Sequence, residues 1–202
     1  MMASIRYGFI VLSMPKCAST SLHEALTPIC DIRFRGRMKH VDHAFVEQWV
    51  VPMLAARAAP VPFQPRILSL MRDPVEWLYS WYRYAYGGEP PAEAKPSKPH
   101  YARFADFLDA HFSNRPPRVG GVLRQSDFLR GRDGSLDGIE VYRHEQNARL
   151  VAELEALAGA PIALKVTHRS RARQQDDLSG IDLAELRHRL AEEYAIYDSI
   201  AP

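Results

Sequence analysis

The chain has 202 residues, 47% of them apolar and 25% charged, with a formal net charge of +2 at neutral pH. That length suits one α/β domain with a sizeable core, and the composition is ordinary for a soluble globular protein. So small a positive excess does not suggest a general nucleic-acid binder, which usually carries a concentrated basic face, and leaves any anion preference local.

In chain order, Tyr7-Gly8-Phe9-Ile10-Val11-Leu12 reads as a short buried strand. The run up to Met14 is too brief for a membrane span and has no small-residue cleavage site, so a soluble chain is expected. Pro15-Lys16-Cys17-Ala18-Ser19-Thr20-Ser21 follows, and Leu22 to Leu26 has helix-former composition. A strand, a hydroxyl-rich loop and a helix start together make an anion site. The first N–H groups of the helix lack internal partners, and the dipole is positive there. Lys16 adds a full charge, and Ser19, Thr20 and Ser21 add donors. An ordinary Ser/Thr N-cap after an edge strand explains the same stretch about as well. A Walker A loop needs G-x-x-x-x-G-K-[ST], and this loop has no glycine and its lysine at the wrong end. The G-x-G-x-x-G dinucleotide fingerprint is missing as well. Cys17 at a helix start brings a catalytic thiolate to mind, but no arginine follows within the loop to hold a phosphate against it.

Pro28 ends the first helical pattern, and Asp31 to Phe34 forms a second short strand candidate. Arg35 to His40 is basic and glycine-bearing, which reads as a loop. Val41 to Ala59 reads as helix with Phe45, Trp49, Met53 and Leu54 on its apolar face, kinked or split by Pro52. Arg66 to Met71 is a buried strand flanked by proline and a charged pair, and Pro74 opens the next helix. That helix carries Trp77, Leu78, Trp81, Tyr82 and Tyr84, read first as core and second as a ring-stacking surface. The glycines and prolines of 87–100 exclude regular structure and mark a mobile excursion, a lid or simple disorder. Tyr101 to Phe112 is amphipathic, and Asn114 to Gly138 is irregular. Ile139 to Tyr142 is a further strand, followed by a helix from Glu145 to Leu157 that ends at Gly159. Pro161 to Lys165 is extended, and Lys165 to Arg173 is the most basic stretch. A last helix starts at Asp182, with Glu185 completing a capping box, and runs to Ser199. Alternating strands and helices predict one domain over 1–202, with a mostly parallel sheet flanked by helices. Anion loops then lie at the carboxyl ends of the strands. Cys17 and Cys30 form no disulfide framework, so a reducing, cytoplasmic compartment is expected.

Two stretches carry a family resemblance. Pro15 to Leu22, PKCASTSL, resembles the 5′-phosphosulfate-binding loop of the sulfotransferases that use 3′-phosphoadenosine 5′-phosphosulfate (PAPS). Leu70-Met71-Arg72-Asp73-Pro74, with Ser80 eight residues after Arg72, is similar to that family's 3′-phosphate motif. Both occur in the family's order, each at a strand-to-helix junction. Val141 to Glu145 and the basic loop from His168 to Arg173 match more weakly. There are two departures: relatives often have asparagine where His168 stands, and the acceptor-binding regions match nothing that can be aligned. The resemblance implies a P-loop-like nucleotide-binding fold, PAPS as donor substrate, no metal, and sulfuryl transfer to an acceptor hydroxyl. It implies that Lys16, Cys17, Ala18, Ser19, Thr20 and Ser21 hold the phosphosulfate, with Lys16 also catalytic. Arg72, Ser80 and Arg171 would hold the 3′-phosphate. The Arg72-Asp73-Pro74 form looks more like the glycan-modifying branch, so a carbohydrate or glycoconjugate is the expected acceptor.

An acceptor hydroxyl needs a base, and histidine is the default near neutral pH. His40 is the first candidate, His43 the second and His23 the weaker third. No His/Cys/carboxylate spacing reads as a metal site. Three other readings stay open: a nucleotide-binding protein without turnover, a sulfotransferase for phenols or lipid alcohols, and a phosphoryl-transfer enzyme. The last should show a magnesium-binding hydroxyl after a loop lysine, which is absent.

Overall fold

The chain folds around one sheet built from β1 (Met2–Ser4), β2 (Phe9–Val11), β3 (Ile32–Arg33), β4 (Arg66–Met71) and β5 (Ile139–Arg143). The strand order is β3-β1-β2-β4-β5. The computed structural model describes residues 1–86, 100–116, 124–165, 178 and 180–201. The expected excursion at 87–100 lies outside the described residues except for His100, and so do His168 and Arg171.

β2, β4 and β5 run parallel, with Phe9 opposite Arg66 and Ile67 opposite Ile139. β1 pairs antiparallel with both β2 and β3, so the sheet is mixed and not mostly parallel. The cause is a tight hairpin in which Gly8, at φ 65°, folds β1 back against β2. β2 and most of β4 are buried, as the apolar runs predict. Each fully buried large side chain there contributes about 1.5–3 kcal/mol.

Helices cover the sheet. α1 (Ser19–Leu26) follows β2. The expected helix of 41–59 is α2 (His43–Phe45), a wider π turn (Val46–Val50) and α3 (Val51–Ala58). Pro52 has no N–H to give and crowds the preceding turn, and the π turn stands immediately before it. The wider turn keeps a spacing of four on one face, so Val46, Val50 and Leu54 are buried while Trp49 and Met53 point to solvent. α4 (Pro74–Trp81) begins with proline, and Asp73 caps it by accepting from the Glu76 N–H at 3.0 Å. α5 (Phe104–His111) matches the amphipathic segment, and α6 (Gln125–Leu129) interrupts the stretch read as irregular. α7 (Asn147–Ala158) stops at Gly159, which is left-handed at φ 64°. The expected terminal helix is two, α8 (Leu183–Arg189) and α9 (Ala191–Ser199), joined at Leu190. Among the described residues no helix is long and apolar enough to cross a membrane.

Because β2, β4 and β5 are parallel, their carboxyl ends share one edge of the sheet. The loop after Val11, the Arg72-Asp73 corner and the His144-Glu145 turn therefore meet there, the usual place for ligands in such sheets.

Candidate anion site at the carboxyl edge of the sheet

The loop between β2 and α1 is built on two non-glycine residues in the left-handed region, Lys16 at φ 63° and Ala18 at φ 52°. Each such residue costs about 1–3 kcal/mol, and the type of strain clusters at ligand clamps. The Cys17 N–H closes a turn onto the Met14 carbonyl at 3.4 Å, and the Leu22 N–H makes the first intrahelical bond to Ala18. Ala18 occupies the N-cap and has no oxygen to give, so no side chain caps the first turn of α1. The simple N-cap reading of this stretch therefore does not hold. Left-handed residues ahead of a helix are the backbone from which anion nests are made.

Lys16 carries the charge of this loop. Among the described residues no carboxylate lies within ion-pair reach of it; its Nζ rests 3.9 Å from the Tyr84 ring centroid and 5.6 Å from that of Trp81. Burial, and then the neighbouring Arg72 guanidinium, lower its pKa to about 8. Lys16 is thus still mostly protonated at neutral pH and poorly compensated, which makes an incoming anion favourable.

Arg72 stands at the carboxyl end of β4. Its Nη1 donates to the Lys16 carbonyl at 3.5 Å, and Nη2 lies 3.6 Å from Glu76. Nε is buried without a partner, an orphan donor of the kind a bound anion satisfies. The Asp73 carboxylate caps α4 and accepts from the Tyr194 hydroxyl at 3.1 Å, so it is not the partner of Arg72. Ser80 is buried on α4, one turn beyond Glu76, and Trp77 of the same helix donates from Nε1 to the Pro15 carbonyl at 2.9 Å.

The other loop residues divide by exposure. Cys17 is buried, and burial pushes its thiol pKa well up, so it is no thiolate nucleophile. Ser19 and Ser21 are buried, while Thr20 is exposed and accepts from Lys39 Nζ at 3.3 Å. That bond places the 3₁₀ turn Gly36–His40 beside the start of α1. His40 Nδ1 donates to the Ser13 carbonyl at 2.5 Å. A carbonyl only accepts, so the proton sits on Nδ1 and Nε2 keeps its lone pair. Burial lowers the His40 pKa, the bond to Ser13 opposing it. His40 is therefore a neutral imidazole within one residue of Lys39 and tied to the loop. His23 is bonded through Nε2 to Ser13 Oγ at 2.7 Å, and burial holds its pKa at about 3. His43 is fully buried against the Leu129 carbonyl. Neither is available as a base, which leaves His40 of the three.

Two residues at the site escaped the sequence reading. Gln125, fully buried at the start of α6, accepts from the Arg72 N–H and donates to the Arg72 carbonyl, both at 2.9 Å. Its Oε1 also accepts from the Cys17 thiol at 3.8 Å, so one amide joins the loop after β2 to the Arg72 corner after β4. His144, after β5, is a half-buried ring whose Nδ1 is buried without a partner and whose pKa is lowered by burial and by Arg72. A glutamine in an irregular stretch gives no sequence signal, whereas His144 lies beside the Val141 to Glu145 match.

Comparison with protein-family models, with curated proteins and with solved structures finds no match to this chain.

Proposed function

We propose that this protein transfers a sulfuryl group from PAPS to an acceptor hydroxyl, on a carbohydrate or glycoconjugate, with the fold of the sulfotransferases. One observation carries the reading: Lys16, without a carboxylate partner among the described residues, belongs to a loop whose carbonyl receives Arg72. Two cations from two strand ends thus converge on one loop, which suits a ligand with separated phosphates. In this reading the acceptor oxygen attacks sulfur, the bond from sulfur to the bridging phosphate oxygen breaks, and Lys16 stabilises the negative charge gathering on that oxygen. The acceptor proton passes to His40 Nε2. The products are a sulfate ester and adenosine 3′,5′-bisphosphate. Arg72 and Ser80 hold the 3′-phosphate.

The carbohydrate acceptor rests on less. Trp77 and Trp81 are buried in the core, which leaves Tyr84, 70% exposed and beside Lys16, as the ring a sugar face can stack on. The exposed Arg35 and Arg37 next to His40 favour an acidic acceptor. The test is calorimetric titration with adenosine 3′,5′-bisphosphate against ATP with magnesium, followed by a donor-saturated screen of glycans, phenols and lipid alcohols read by mass. Preference for the bisphosphate and sulfation of a glycan are expected. Preference for ATP sinks the donor assignment, and sulfation of phenols alone sinks the acceptor.

A further inference from the structure

A cavity of about 260 Å³ lies against α4, where Pro74, Trp77 and Leu78 line it. It shares two residues with the anion site, since Trp77 and Gln125 line it. Its apolar walls come from Trp77, Leu78, Phe112 and Leu190. The volume corresponds to roughly nine waters at ~30 Å³ each, room for two fused rings with a small polar group.

The charges around it are unequally compensated. Glu192 is held by Arg124 at 2.8 Å and by Arg130 at 2.9 Å. Glu193 is buried and accepts from both the backbone N–H and the hydroxyl of Ser126, and burial raises its pKa. Arg189 stacks on Phe112, 4.1 Å from the ring centroid, and among the described residues no carboxylate pairs with it. His111 lines the cavity as a neutral imidazole whose pKa is lowered to about 4 by burial, then by Arg124 and Arg189. Burial accounts for most of that depression, and the two guanidiniums near this wall add to it. An apolar slot with aromatic walls and one uncompensated guanidinium matches a flat body with an acidic end.

We propose that this cavity is a second ligand site, for a small aromatic carboxylate whose rings lie against Trp77 and Phe112 and whose acid group pairs with Arg189. The proposal does not depend on the donor and acceptor roles assigned above. Its test is titration of the full chain with 2-naphthoate, followed by fluorescence and by calorimetry, beside the neutral 2-naphthalenemethanol. The variants are Arg189→Ala, which removes the cation, and Ser113→Trp, which plugs the mouth from an exposed position. Both side chains are exposed, so both variants fold, and their unfolding midpoints verify it. Saturable 1:1 binding of 2-naphthoate is expected, weakened about ten- to a hundredfold by Arg189→Ala and lost in Ser113→Trp. The alcohol should bind as weakly to wild type as the acid binds to Arg189→Ala. The proposal is overturned if 2-naphthoate shows no saturable binding, or if either variant binds it like wild type. Equal affinity of wild type for acid and alcohol overturns it too.

Discussion

Replacing Gln125 with leucine keeps the side-chain volume and removes the amide that joins the loop after β2 to the Arg72 corner. The Arg72 N–H and carbonyl each lose a partner at 2.9 Å, and the Cys17 thiol loses a weak one at 3.8 Å. Net backbone hydrogen bonds contribute about 0.5–1.5 kcal/mol each, and a group left unpaired inside costs about 1–3 kcal/mol. The two Arg72 groups left unpaired at this fully buried position sum to a loss of about 2–6 kcal/mol. In a chain of this size each kcal/mol lowers the unfolding midpoint by about 2–4 °C, so a fall of at least about 4 °C is expected in a thermal melt followed by circular dichroism. Arg72, released from its backbone clamp, should also bind an anion more weakly, and calorimetry with adenosine 3′,5′-bisphosphate should show it. Gln125→Glu should do no better, since an ionised carboxylate cannot donate to the Arg72 carbonyl. A Gln125→Leu protein that melts within 1 °C or so of wild type would refute the reasoning.

Arg72→Ala should weaken adenosine 3′,5′-bisphosphate by on the order of ten- to a hundredfold and abolish discrimination against the analogue lacking the 3′-phosphate; wild type indifferent to that phosphate contradicts the assignment. The pH–rate profile should have two limbs. His40, as the neutral base, has its pKa lowered by burial, so the acid limb lies at lower pH than an ordinary imidazole would place it. Lys16 acts protonated with a pKa of about 8, so the alkaline limb descends about tenfold per pH unit above that value. A rate still rising at pH 9 contradicts the role of Lys16. His40→Ala should lose turnover and keep nucleotide affinity, and normal turnover in that variant removes His40 as the base.

Much of this was legible in the sequence because it is local. Phe9 to Val11 and Arg66 to Met71 announce buried strands by unbroken apolar runs, and Asp73-Pro74 announces the start of α4. The placement of Lys16 and Arg72 at strand ends follows from the same patterns. What escaped depends on distant pairing. β1 is three residues of Met-Ala-Ser, with no β-branched signal, and it exists because the hairpin at Gly8 offers it an edge. That hairpin is also why a sheet expected to be mostly parallel is mixed. Trp49 and Met53 were assigned to the core by a 3.6-residue period, and the π turn before Pro52 changes that period. Gln125 is 53 residues from Arg72, and nothing in its neighbourhood foretells that its amide mimics a strand partner. Of the candidate bases, only the contacts of His23 and His43 separate them from His40.

The most direct measurement is turnover of PAPS, followed as release of adenosine 3′,5′-bisphosphate with a glycan acceptor panel, in wild type and in Lys16→Ala. Lys16 gains contact as charge develops on the leaving oxygen, so its loss should lower kcat more than affinity. Wild type should release the bisphosphate in step with a sulfated glycan, and Lys16→Ala should be slower by about two to three powers of ten while binding the nucleotide nearly as well. Turnover in Lys16→Ala at the wild-type rate, or no release by wild type with any acceptor while it binds the nucleotide, would contradict the account.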